Sequence, residues 1–234
     1  MKKSILTCIS VCIMSALLIT GCASETDTIG EYAQNDNKNT SQETSETKQE
    51  TPSAAKQDGG YNPAPLEEGK VYYADIDIKD YGKITVKLDQ SAAPVTCANF
   101  VQLANEGFYN GLTFHRIIEG FMMQGGDPEG TGMGGSENEI IGEFSMNGRD
   151  NPISHKRGTI SMARSQDPDS ASSQFFIVHE DSTFLDGQYA GFGEVTEGIQ
   201  VVDAVCKAAE PADGNGTIPA ENQPVINSVT IRVE

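Results

Sequence analysis

From Val71 onward the chain is written in short apolar stretches cut every few residues by Gly, Asp and Pro, and that punctuation leaves little room for anything but a mostly β fold. Residues 71–78 (VYYADIDI) and 83–88 (KITVKL) alternate apolar with polar, the period of a half-buried strand. Lys79-Asp80-Tyr81-Gly82 between them supplies a turn, so the pair predicts an antiparallel hairpin. Further short strands are expected at 113–118, 121–124, 159–163, 174–178, 190–194 and 225–233. Two segments read as helices. Residues 94–107 open on Pro94 and close on Gly107 with helical spacing of Phe100, Val101, Leu103 and Ala104, and a second helix is expected over about 198–209. Eight short strands and two helices suit a closed antiparallel barrel capped by two α-helices, because closure leaves no exposed strand edge. The sequence shows no internal repeat.

The preceding residues have a different composition. Lys2 and Lys3 lead an apolar run from Ile5 to Ile19 that is too short to span a bilayer comfortably. It ends in Ile19-Thr20-Gly21-Cys22, which resembles the bacterial lipobox. That resemblance implies a lipoprotein signal peptide over 1–21, lipid on Cys22, and an extracytoplasmic domain whose contact with the membrane is through the lipid alone. Residues 22–69 are rich in Ser, Thr, Asn, Gln and Glu with almost no aliphatic periodicity, and are expected to be a disordered acidic tether. The catalytic-size domain is then 70–234, long enough for one core.

Charge and chemistry narrow the function. The net charge is −18, from 16 basic and 34 acidic residues, which argues against nucleic acid as a partner. His115, His155 and His179 are far apart and show neither metal-ligand spacing nor an adjacent nucleophile, so all three read as structural and no metal is expected. The Gly-rich run from Gly125 to Gly135 lacks the Lys-Ser/Thr ending of a phosphate loop and reads as a turn bordering a groove. Asp167-Pro168-Asp169-Ser170 likewise reads as a turn. Once Cys8 and Cys12 leave with the signal and Cys22 is lipidated, Cys97 and Cys206 either pair or sit as separate buried apolar residues, and their place on two different helices favours the second.

Four segments, in order, carry a resemblance to a known family. They are 114–127 (FHRIIEGFMMQGGD), 158–163 (GTISMA), 173–177 (SQFFI) and 184–193 (FLDGQYAGFG). Together they closely resemble the cyclophilin-type peptidyl-prolyl cis-trans isomerases over nearly all of 71–234. The resemblance implies an eight-stranded barrel with a substrate groove on its outer face, and no cofactor. It places the catalytic Arg on Arg116 and the proline pocket on Phe121, Met122, Phe176 and Leu185. It makes Gln124 and Gln174 polar groove residues, with Gln124 orienting Arg116 or the substrate carbonyl. Ala163 and Arg164 fall where the family contacts substrate backbone before the proline, Arg164 replacing an Asn common in eukaryotic members. Phe184 stands where many eukaryotic members carry Trp, which should weaken cyclosporin binding, and Tyr189 stands where they carry His.

The chemistry suits such a set. Rotation about an Xaa-Pro bond makes and breaks no covalent bond, so a catalyst has only to bind the twisted amide better than the planar forms. A permanently charged, rigid guanidinium can donate to the prolyl nitrogen or the displaced carbonyl. By period two, Phe114, Arg116 and Ile118 share one strand face, and His115 and Ile117 the other. The expected partners are unfolded or proline-containing polypeptide segments, and the expected state is a monomer. The competing reading is a non-catalytic module or chaperone that docks proline-containing segments in the same groove.

Overall fold

The computed structural model describes residues 61–234; the signal, Cys22 and the tether as far as residue 60 lie outside the described residues. The elements run β1 (Tyr72–Ile78), β2 (Gly82–Leu88), α1 (Pro94–Asn105), β3 (Thr113–Ile118), β4 (Met122–Asp127), β5 (Thr159–Met162), β6 (Phe175–Val178), β7 (Gly191–Glu197), α2 (Ile199–Ala208) and β8 (Ile226–Val233). Each expected strand and helix is present, with ends shifted by a few residues. In β1 the alternation does what it predicts: Tyr72, Ala74, Ile76 and Ile78 are buried and the residues between them half-buried.

All eight strands join one antiparallel sheet in the order β3-β4-β6-β5-β7-β2-β1-β8. The expected closed barrel is corrected here, because the sheet is an open half-barrel whose ends, β3 and β8, form no ladder. They touch at a single bridge, Thr113 with Val225, flanked by bonds from the Phe114 N–H to the Pro224 carbonyl (2.9 Å) and from the Ile226 N–H to the Leu112 carbonyl (2.8 Å). Beyond it, irregular chain satisfies the edge of β3. The Ile117 N–H donates to the Gly216 carbonyl (2.8 Å) and the Ile218 N–H to the His115 carbonyl (2.9 Å). An edge whose hydrogen bonds are already met has no need of an eighth ladder.

The inner face buries Phe100, Tyr109, Phe114, Phe175 and Phe192. Phe175 stands edge-on to Phe100 (5.5 Å between centroids), Tyr109 (5.5 Å) and Phe114 (6.0 Å), the arrangement that ring quadrupoles favour. Helix α1 lies on β8 and α2 on β2. The first turn of α1 has no cap of its own. The buried Glu143 carboxylate supplies one from 47 residues away, accepting from the Val95 N–H (3.0 Å), the Thr96 N–H (2.8 Å) and the Thr96 hydroxyl (2.7 Å). Cys97 on α1 and Cys206 on α2 are both buried and free.

The domain starts earlier than expected. Tyr61 and Leu66, assigned above to the tether, pack against the core. Tyr61 forms a parallel bridge with Ile140, and the Glu67 N–H donates to the Tyr72 hydroxyl (3.1 Å).

Strand β6 shows where the outer face matters. All four of its residues are buried, although period two sends Phe175 and Ile177 inward and Phe176 and Val178 outward. The outward pair belongs to a second apolar cluster, separate from the core.

Candidate active site

Strand β3 carries Arg116 past an irregularity. Pairing with β4 shifts register between Thr113 and Phe114 and again between Phe114 and Arg116, so His115 bulges. The bulge corrects the period-two expectation: Phe114 and Ile117 both point into the core, and Ile118 stays with Arg116 on the outer side, packed against the second cluster. His115 is buried, and neither ring nitrogen has a hydrogen-bond partner among the described residues.

The Arg116 guanidinium is held on two sides. Nε donates to the Asn215 carbonyl at 2.7 Å, and Nη1 donates to Gln124 Oε1 at 3.2 Å and lies 3.8 Å from Met122 Sδ. The Phe121 ring centroid is 5.9 Å from Cζ. Burial lowers the Arg116 pKa from its ordinary value, opposed by Tyr189 and Asp213, and the group stays charged at any working pH. Nη2 takes no acceptor among the described residues, leaving that edge of the fork for a substrate.

Gln124 and Gln174 extend the hold. Gln124 Nε2 donates to Gln174 Oε1 (2.8 Å), and Gln174 Nε2 donates to the carbonyls of Gly132 (3.1 Å) and Gly134 (2.7 Å). Those glycines belong to the expected turn beside the groove, which Asp127 organises by accepting from the N–H groups of Glu129 (2.8 Å), Thr131 (2.9 Å) and Gly132 (2.6 Å). Burial opposes ionisation of Asp127, yet these bonds outweigh it and lower its pKa. A Cβ on Gly134 would collide with the Asp127 carboxylate, so this position requires glycine.

Beside the guanidinium is an apolar notch. Met122, Phe176, Val178 and Leu185 form its buried part, with Phe121, Ile118, Ala163 and Tyr189 packed around them. The four expected pocket residues are thus brought together. Ile118 joins Arg116 on the outer face as expected; Val178 was missed, although it was legible as the residue two beyond Phe176 on the same strand face. Phe184, 65% exposed, lies over Phe121 (centroids 5.6 Å, 34°) and forms an apolar rim.

His155 has a larger part than expected. It is fully buried and stacks on Phe176 (6.0 Å, 18°), while Tyr189 meets both rings edge-on at 6.5 and 5.8 Å. Its Nδ1 lies 2.9 Å from Asp186 Oδ1 and its Nε2 3.0 Å from Ser161 Oγ. Burial lowers the His155 pKa, against the pull of Asp186, so the ring is neutral: Nδ1–H donates to the carboxylate and Nε2 accepts from the hydroxyl. The Ser161-His155-Asp186 order mimics a hydrolytic triad, but Ser161 is fully buried and has no access to a substrate.

Arg164 is committed to the protein. Nε and Nη2 donate to the Gln188 carbonyl (3.1 and 2.9 Å) and Nη1 to the carbonyls of Ser165 (2.8 Å) and Gln166 (3.4 Å), with Phe144 and Tyr189 rings 5.0 and 4.8 Å from Cζ. It therefore shapes the wall next to Ala163, and every one of its donor nitrogens is already occupied.

A charged fork lies beside an outward apolar notch on the antiparallel half-barrel, and comparison with known proteins gives the family. The profile described as "Cyclophilin type peptidyl-prolyl cis-trans isomerase/CLD" matches residues 73–232, so this chain belongs to the cyclophilin-type isomerases. It is 50% identical over 123 residues to peptidyl-prolyl cis-trans isomerase B of Bacillus subtilis, covering 53% of this chain and 82% of that one. It is 46% identical over 141 residues to a peptidyl-prolyl cis-trans isomerase of Helicobacter pylori, covering 59% and 83%. Among solved structures it resembles a Cryptosporidium parvum cyclophilin crystallised in the presence of the dipeptide Ala-Pro, with a TM-score of 0.60 and 30% identity over 68% of this chain and 98% of that one.

Proposed function

We propose that this isomerase acts outside the cytoplasm, on proline-containing segments of exported chains, with Arg116 as its electrostatic group and the Met122-Phe176-Leu185 notch as its proline holder. The observation that carries the reading is the placement of a doubly anchored guanidinium, one edge unpaired, at the margin of that notch.

The barrier to Xaa-Pro rotation is about 20 kcal/mol because amide resonance must be broken. As the bond twists, the prolyl nitrogen gains a lone pair and the carbonyl swings out of plane. Arg116 donates to whichever atom gains charge, and because Asn215 and Gln124 already fix its orientation, little reorganisation is needed. The notch holds the ring still while the preceding carbonyl moves, and its apolar walls strengthen the interaction by excluding water. Exported chains emerge unfolded with about 10–30% cis at their Xaa-Pro bonds, so a rotation catalyst has work at that location. Lipid on Cys22 would keep the domain at the membrane surface; Cys22→Ala should then move the protein from the membrane fraction to the soluble one.

The test is turnover of an Xaa-Pro peptide by the full chain, followed by protease coupling or NMR exchange. Arg116→Ala should lower kcat/KM by about 10²–10³-fold, the range seen when one preorganised donor is lost. Equal rates for the two proteins would remove Arg116 from the mechanism.

A further inference from the structure

Tyr61, where the described residues begin, stands beside the groove. It lines a cavity whose other walls include Gln124, of the Arg116 network, and Ala163, which packs against the notch. Its backbone bridges Ile140 in parallel, and its N–H donates to the Glu139 carbonyl at 2.8 Å. Segments paired in parallel run the same way, so the chain arrives at Tyr61 from the side of residues 136–139, which line the same cavity. Beyond Tyr61 it leads off with Pro63 buried and Leu66 packed on the core. The segment that runs back to Cys22 is therefore joined to the domain on its catalytic face.

Between Cys22 and Tyr61 the sequence holds one proline, Pro52, in Glu50-Thr51-Pro52-Ser53. It precedes Tyr61 by nine residues, an extended length of up to about 30 Å at roughly 3.3 Å per residue. The span to be covered is the width of one cavity, since Gln124 stands on the cavity wall and 3.2 Å from Arg116 Nη1. Nine residues can cross it and turn back on themselves, and Gly59-Gly60, next to Tyr61, supplies the most permissive backbone for the reversal. A site and a ligand joined by so short a connection meet at an effective concentration on the order of millimolar.

We infer that the groove takes up the chain's own Thr51-Pro52 bond: Pro52 enters the Met122-Phe176-Leu185 notch in cis and competes there with external proline-containing segments. This rests on the isomerase reading of the groove. The segment is then a built-in competitor that sets a threshold for clients. It raises the apparent KM by one plus the ratio of the effective concentration to the segment's own dissociation constant, and it leaves turnover at saturating client unchanged.

The experiment uses the full chain at nanomolar concentration, where one copy does not occupy another, with an unrelated blocked Xaa-Pro peptide as the client. Pro52→Ala should lower KM for that client about two- to tenfold and leave kcat unchanged, the pattern of a competitor removed. A blocked peptide of residues 46–56 should itself be turned over, and at millimolar concentration it should restore the wild-type KM to Pro52→Ala. In 15N exchange spectra of the wild type, Thr51-Pro52 should interconvert within about a second, against the tens of seconds of an uncatalysed bond and of Arg116→Ala. That rate should hold on tenfold dilution, whereas catalysis by a second copy would fall tenfold. An unchanged KM in Pro52→Ala, exchange that scales with dilution, or slow exchange in a wild type that turns over the client would each overturn the inference and leave the isomerase reading standing. If the wild type turns over no client, turnover gained in Pro52→Ala marks complete self-occupancy, whereas no turnover in either protein overturns the isomerase reading and this inference with it.

Discussion

Phe176 owes its position in the notch to the residue beneath it. The His155 ring stacks on it and is fixed in turn by Asp186 and Ser161, so the notch has a hydrogen-bonded back wall under its apolar front. His155→Phe keeps the stacked ring but strands the buried Ser161 hydroxyl, which should cost about 1–3 kcal/mol of stability. His155→Ala also opens a space behind Phe176, and its cost should rise to about 2–5 kcal/mol. Kinetics separate a wall from a bystander: kcat/KM on an Xaa-Pro peptide should fall further in His155→Ala than in His155→Phe. If both variants lose stability as stated but turn over substrate equally, His155 supports the fold alone.

At the scale of the element, α1 illustrates what a distant residue can do for a helix. Its N-terminal amides are satisfied by Glu143 rather than by a neighbouring Ser, Thr or Asp. Glu143→Ala should destabilise the protein by about 1–3 kcal/mol, and Glu143→Gln, which keeps one acceptor, by less; thermal melts would read the order. That bond also marks the boundary of what the sequence discloses. Strands β1 and β2 were legible because burial on one face writes itself as alternation, and α1 because Pro94 and Gly107 bracket a helical period. The four notch residues Phe121, Met122, Phe176 and Leu185 were legible through ordered motifs. Glu143 and Tyr61 were not, since each acts across some 40 residues, on partners 47 and 41 positions away, through contacts that leave no local pattern. The open edge of β3 was equally hidden: the chain that covers it, 215–218, has no strand period to announce it. His155 was hidden for another reason, because a buried histidine that backs a site and one that fills a core look the same in a sequence. The two helix cysteines behaved as separate buried residues. Burial, with Asp203 and Glu119 nearby, pushes the Cys206 thiol up to about 12, and burial raises Cys97 likewise. Alkylation mapped by mass spectrometry should therefore label both only after denaturation.

For the whole molecule, acid acts through groups kept neutral or ionised against their ordinary tendency. His115 is held neutral by burial and by Arg116, against Asp127, and His155 by burial, against Asp186, so both titrate below their usual 6.5 in the folded chain. The unfolded chain therefore binds more protons just below that value, and stability must fall as pH drops from about 6.5 towards the two lowered pKa values. The net charge of −18 pushes the other way, because acidification relieves self-repulsion, but this term is screened over about 8 Å at physiological salt while buried histidines are not. At 0.15 M salt the histidine contribution should win, and the melting temperature should decline between neutral pH and the lowered histidine values. His115→Leu removes one titrating group together with two unpartnered buried nitrogens, so it should flatten that decline and stabilise the acid side. A second loss belongs below 3.8, where Asp127 protonates at its lowered pKa and releases the amides of the 129–132 turn. That turn holds Gln174, and Gln174 holds Gln124 and Arg116, so turnover should decline on acidification before the fold is lost. Melting temperature and kcat/KM measured together between pH 7.5 and 3 decide the matter: a flat melting profile from 7.5 to 5 would contradict the buried-histidine account, and activity that persists until global unfolding would uncouple the turn from Arg116.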